Sequence, residues 1–146
     1  MENCNNQLPQ SKDYVGSNSD TYDNFRKNNS LGELILRKFI EKIKNNLNNS
    51  NNFSVLDLGC GTGQFTRLVR DYTEGDIIGI DISTDMINKA IEMEKKDPKN
   101  ITYYVENCLN VLSTFLGEDK KFDLVIANFL LNYSPNKDVF ETTVKK

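Results

Sequence analysis

Apolar residues first settle into a regular pattern at Leu36, Phe39, Ile40, Ile43 and Leu47, with Lys, Glu and Arg between them. Spacings of three and four put these side chains on one face, which predicts an amphipathic helix entered near Leu31. The polar run NNLNNSNN ends it and reads as a loop. Beyond that loop the period switches back and forth. Phe53–Leu58 is a short apolar strand, and Phe65, Leu68, Val69 and Tyr72 mark a helix. DIIGIDI is a second strand, and Met86, Ile87, Ala90 and Ile91 mark the next helix, with Ser83 or Thr84 as its cap. ITYYV is a third strand, followed by helical spacing at Leu109, Leu112, Phe115 and Leu116. FDLVIANFLL, Phe122–Leu131, is a fourth strand, and Ser134 with Pro135 then suits a cap and first helical position.

Strands that alternate with helices predict an α/β domain, a parallel sheet with helices on both faces. Residues 1–20 are rich in Asn, Ser and Asp and short of large apolar groups, so they predict a disordered or loosely attached tail. Residues 21–146 form the domain. A chain of 146 residues suffices for one modest domain.

Charge and rare residues narrow the chemistry. The net charge of -3 disfavours a nucleic-acid partner, whose affinity comes largely from Lys and Arg. No apolar run is long enough to span a bilayer, and the polar start MENCNNQLPQSKDY has no signal-peptide core, so no membrane partner is expected. Cys4, Cys60 and Cys108 are widely spaced and the chain has no histidine. That predicts reduced thiols in a cytoplasmic protein and no metal site. It also removes every Ser-His or Cys-His pair, leaving binding, orientation, carboxylates, tyrosines and lysines as means of catalysis.

One stretch demands a ligand or a special turn. VLDLGCGTGQF, Val55–Phe65, places Gly59, Gly61 and Gly63 where the first strand passes into its helix. In open parallel sheets the ligand crevice lies there, beyond the carboxyl ends of the strands. A nucleoside triphosphate loop needs G-x-x-x-x-G-K-[ST], and no lysine follows. A dinucleotide loop needs G-x-G-x-x-G, whereas Gln64 holds the sixth position and the third glycine comes one residue early. Asp57, two residues ahead of Gly59, also serves an anionic pyrophosphate badly and suits a ligand with positive charge.

These residues resemble the cofactor motif of class I S-adenosylmethionine-dependent methyltransferases, an acidic residue, a spacer and then G-x-G-x-G. The resemblance implies a Rossmann-like sheet and S-adenosylmethionine as cofactor, with Asp57 beside the ligand's cationic groups and Gly59, Cys60, Gly61 and Gly63 against its methionine part. Asp81, which ends GIDIS, matches the acid that accepts from both ribose hydroxyls. Ile82 and Met86 match positions packed on the adenine. After the third strand, Asn107 and Cys108 stand where the family commonly has an acid and a small residue at the adenine amino group. Asn107 keeps an acceptor oxygen there but no charge. Asn128 matches the point where the chain leaves the fourth strand beside the transferable methyl group, Phe129 a pocket wall, and Asn132 a polar residue facing the acceptor. TYDNFR is similar to the family's N-terminal lid, which would put Tyr22 over the cofactor. The likeness runs from about Ser54 to Tyr133.

The resemblance implies methyl transfer to a small-molecule acceptor by in-line displacement, with no catalytic base identified. The alternatives are a non-catalytic adenosylmethionine-binding module and a nicotinamide-dependent oxidoreductase. The family's sheet continues past a fourth strand, whereas this sequence stops at Lys146. The fold is therefore expected to be truncated after the fourth strand, with self-association through its open edge.

Overall fold

The computed structural model describes residues 30–47, 50–108, 117 and 120–128. The tail expected over 1–20, the helix expected over 109–116, the helix start at Ser134, and Tyr22, Phe129 and Asn132 lie outside them.

In chain order the elements are α1 (Ser30–Asn46), β1 (Val55–Leu58), α2 (Gln64–Val69), a 3-10 turn (Arg70–Tyr72), β2 (Ile77–Asp81), α3 (Thr84–Lys96), β3 (Ile101–Val105) and β4 (Leu124–Ile126). The strands form one parallel sheet in the order β3-β2-β1-β4. Val55 is the reference point of its register, opposite Ile77 on one side and Leu124 on the other. Ile77 in turn sits opposite Ile101.

Strand alternation sorts the side chains onto two faces. Val55, Ile77, Ile101, Tyr103, Leu124 and Ile126 form the larger core with Ile40 of α1, Val69 of α2, and Ile87 and Ala90 of α3. All three helices therefore pack on one face. The other face carries a smaller cluster of Leu56, Leu58 and Ile80, with Ile78, Cys108, Phe122 and Ala127 against it. The expected cover of both faces by helices holds for one face only among the described residues.

Three elements differ from the pattern along the chain. The first strand begins at Val55, not Phe53, because Phe53 is held outside the ladder: its N–H donates to Thr73 Oγ1 at 3.0 Å. The helix expected through Tyr72 tightens into the 3-10 turn after Val69. The fourth strand has three residues, not ten, because its pairing with β1 ends at Asp57↔Ile126, one residue before β1 itself ends. In α1, Ile40 is buried and Ile43 and Leu47 pack on the core as expected, but Phe39 is 56% exposed. A hundred degrees of helical turn separates Phe39 from Ile40, enough to take it off the buried stripe.

Ser54 and Asp123 fasten β4 to β1. The Asp123 carboxylate accepts from the Ser54 N–H and hydroxyl, both at 2.8 Å, and the Asp123 N–H donates to Ser54 Oγ at 3.1 Å. Arg67 ties α2 to α3 through Glu94 Oε2 and Asp97 Oδ2, each at 2.6 Å. At the amino ends of the strands, Arg70 donates to the carbonyls of Thr73, Gly75 and Asn100, each at 2.9 Å. Among the described residues no helix is long and apolar enough to cross a membrane.

Candidate functional site

The site grows from the carboxyl end of β1. Asp57 is 2% exposed, and its Oδ2 accepts from the Thr66 hydroxyl at 2.7 Å, so α2 holds the carboxylate from below. The chain then turns sharply. The N–H groups of Gly59 and Cys60 both donate to the Ile80 carbonyl, at 2.7 and 2.9 Å, which pins the turn onto β2. Gly59, Gly61 and Gly63 have φ of 72°, 57° and 79°. At Gly63 the left-handed backbone is needed to enter α2, and its N–H closes the turn on the Cys60 carbonyl at 3.0 Å.

Asp81 joins this turn to the next one. Its Oδ2 accepts from the Gly61 N–H at 2.9 Å and its Oδ1 from the Ser83 N–H at 2.8 Å. Ser83 in turn caps α3, its hydroxyl accepting from the Met86 N–H at 3.4 Å. Burial raises the Asp81 pKa, and the N–H bonds from Ser83 and Gly61 act against that rise. The Ile82 N–H acts in the same sense, and the carboxylate keeps part of its acceptor capacity. Burial, followed by the carboxylates of Asp57 and Asp81, pushes the Cys60 thiol well up, so it stays protonated and unreactive.

A pocket opens above the turn, lined by Asp57, Gly59, Cys60, Thr62, Gln64, Phe65 and Asn128. Of the residues singled out in the sequence, Asp57, Gly59, Cys60 and Asn128 thus meet around one opening. Asn128 stands two residues beyond β4. Gly61 and Asp81 are not among the lining residues; their hydrogen bond ties the same turn to the end of β2. Ile82 follows Asp81 with 43% of its surface exposed, an apolar group open to contact. Met86 is buried on the inward face of α3 and offers packing only. Asn107 and Cys108 are half-buried just past β3. The structure puts them at the same end of the sheet, off the pocket lining.

Several contributors carry no motif signal. Thr62, Gln64 and Phe65 line the pocket simply because they share the turn with the glycines. Thr66 is nine residues from the carboxylate that it holds, a relation no local pattern reports. Glu106 continues the pairing past β3, its N–H on the Asp81 carbonyl at 3.0 Å, and its Oε1 accepts from the Asn107 N–H at 2.7 Å. A negative charge therefore stands beside Asn107 although the amide itself has none.

The opening is lined by one carboxylate, Asp57, and by the glycine turn, while a second carboxylate, Asp81, holds that turn and is followed by an exposed isoleucine. Such donor chemistry fits a ligand with cationic groups, a pair of hydroxyls and a flat apolar ring, and repels a pyrophosphate.

Comparison with known proteins agrees with this fit. Residues 49–146, more than half of the chain, match the family described as a methyltransferase domain. A viral relative named as a methyltransferase, 235L of Invertebrate iridescent virus 6, is 30% identical over 114 residues, 77% of this chain and 38% of its own length. The ribosomal protein L11 methyltransferase of Burkholderia vietnamiensis is 33% identical over 79 residues, 54% of this chain and 24% of its own. The chain thus spans well under half the length of these relatives. In fold it is similar to the plantazolicin methyltransferase BpumL, solved with a triazolic desmethylPZN analogue and S-adenosylhomocysteine. The TM-score is 0.63 at 22% identity, covering 87% of this chain and 46% of that one. By the family match, the sheet and the glycine turn together, this chain belongs to the class I S-adenosylmethionine-dependent methyltransferases.

Proposed function

We propose that this domain binds S-adenosylmethionine and transfers its methyl group to a small-molecule acceptor. The observation that carries the reading is the pair of carboxylates, buried Asp57 and half-buried Asp81, set on either side of one glycine turn at the ends of adjacent strands. When bound, the cofactor supplies a methyl group on a sulfonium, already activated toward displacement. The chain's part is binding and alignment. Asp57 faces the cationic end, and the main chain of Gly59, Cys60, Gly61 and Gly63 lies along the methionine portion. Asp81 accepts from the ribose, Ile82 packs the adenine, and Asn107 and Cys108 border its edge. Asn128 orients the acceptor side of the pocket. No histidine is needed, since a neutral nucleophile held in line requires little proton transfer.

The charge of -3 supports a small molecule over a nucleic acid as acceptor. The ribosomal relatives act on a protein by their name, so a protein acceptor is the reading to test beside it. The thiols support a cytoplasmic setting. The 146-residue chain is expected to self-associate through β4, the last strand in the described sheet, whose Val125 is 53% exposed. Light scattering checks this, and a concentration-independent monomer of 16.7 kDa refutes it.

Thermal shift tests the cofactor directly. At a hundred times the dissociation constant, S-adenosylmethionine or S-adenosylhomocysteine should stabilise the chain by about 2.7 kcal/mol. A shift with NAD and none with either sulfur compound overturns the reading.

A further inference from the structure

Among the described residues, Tyr103 is a large core side chain whose polar end has no hydrogen-bond partner. It lies on β3 directly opposite Gly79 of β2. Its ring crosses β2 where Gly79 has no side chain: a Cβ added there would meet Tyr103 Cδ1 at 2.7 Å and Cys60 Sγ at 3.1 Å. The phenol then runs on beneath the glycine turn, where a Cβ on Gly63 would meet the Tyr103 hydroxyl at 2.5 Å. Two glycines, one in a strand and one in the turn, therefore clear a single slot for this ring. The residue is 7% exposed, and its hydroxyl has no hydrogen-bond partner among the described residues.

Packing does not account for the hydroxyl. Phenylalanine would fill the same slot without burying an unpaired polar group, which native interiors rarely tolerate. The turn above it, however, has main-chain acceptors in reserve. The Gly61 carbonyl accepts a long, weak bond from the Cys60 thiol at 3.6 Å, and a carbonyl oxygen has room for a second donor. The outer side of the same turn lines the pocket through Gly59, Cys60 and Thr62. Tyr103 itself does not line it, so the phenol acts on the ligand only through the turn.

We infer that Tyr103 is a positioning residue for the cofactor turn, its hydroxyl donating to a main-chain carbonyl of Cys60–Gly63 only once ligand fills the pocket. The inference rests on the cofactor reading above. The hydroxyl is a donor held ready: it adds nothing to the free fold and strengthens the closed turn. Stability and affinity should thus respond in opposite senses to its removal, which a merely structural tyrosine would not do.

Tyr103→Phe tests this, with S-adenosylhomocysteine as the probe. The variant's free-chain melting temperature should equal or exceed that of the parent, while its affinity by calorimetry falls roughly three- to tenfold. The chain has no tryptophan, so the tyrosine band is readable. Ligand should shift its long-wavelength edge in the parent, and that component should vanish in Tyr103→Phe. Equal affinity in the two proteins overturns the inference and leaves the cofactor reading intact. A lower melting temperature in the variant also overturns it, since the hydroxyl would then have a partner before the ligand arrives. If the parent binds neither sulfur compound, the cofactor reading falls and takes this inference with it.

Discussion

Asp81 gives one acceptor position of each carboxylate oxygen to the protein, holding Gly61 on one side and Ser83 on the other. The cofactor, on the proposed reading, meets what is left. Asp81→Ala should therefore weaken cofactor binding at least about tenfold, the loss of charged hydrogen bonds worth roughly 1.5–3 kcal/mol each. It should also lower the melting temperature, because two turn amides lose their acceptor; calorimetry and a thermal melt read the two effects separately. The raised pKa of Asp81 adds a pH dependence of definite sign. Its burial makes the charged form unfavourable, so its contribution to stability is largest at low pH and declines as pH rises through the raised folded value. Ribose hydroxyls need the charged form as acceptor. Affinity should therefore climb as pH rises through that raised value and then level off, and Asp81→Asn should flatten that rise. Below the turn, Thr66→Val takes a donor from a buried carboxylate and should cost about 1–3 kcal/mol in a denaturant titration, with Thr66→Ser close to the parent.

Between elements, side chains rather than ladders make several of the joins. Arg67 is largely buried and faces Glu94, which is half-buried, and Asp97, which is mostly in solvent. Arg67→Met should destabilise by roughly 2–3 kcal/mol, mainly because Glu94 loses its cation and keeps only the N–H groups of Lys99 and Ile101. The Asp123 clasp is a surface feature with a different signature. Hydrogen bonds from Ser54 hold the Asp123 carboxyl below its ordinary range, so its contribution is present above that range and lost as pH falls through the lowered value. Urea midpoints followed toward acid should fall less steeply in Asp123→Asn than in the parent. Much at this scale was legible in the sequence. ITYYV is β3 to the residue and Ser83 is the cap of α3, because alternation and capping are local properties. The short β4 was not, since its length is set by how far its pairing with β1 runs, a relation to another strand. The exposure of Phe39 was hidden for a similar reason: helical spacing says which residues share a face but not how wide the buried stripe is. At the site, glycines and acids announced themselves as types. Thr66 on Asp57 and the Gly61 N–H on Asp81 did not, because a donor far along the chain leaves no local trace.

Taken whole, the described molecule has two unlike ends. At the carboxyl ends of its strands the turns enclose a pocket, and at the amino ends they are laced together. Tyr103 and the glycine turn would make the first end responsive to ligand. Hydrogen exchange should show that response: S-adenosylhomocysteine should slow the amides of Cys60–Gly63, while those of Thr73–Gly75 remain unchanged; uniform slowing at both ends would contradict it. The laced end has a consequence for how sequences of this kind can diverge. One guanidinium, that of Arg70, reaches Thr73, Gly75 and Asn100, and Gly75 approaches the Phe53 carbonyl too closely to admit a side chain. The turn before β2 and the turn before β3 therefore share one yardstick. An inserted residue in either would pull an acceptor out of reach, and no compensating change in the other could restore it. This corner should therefore tolerate insertion poorly.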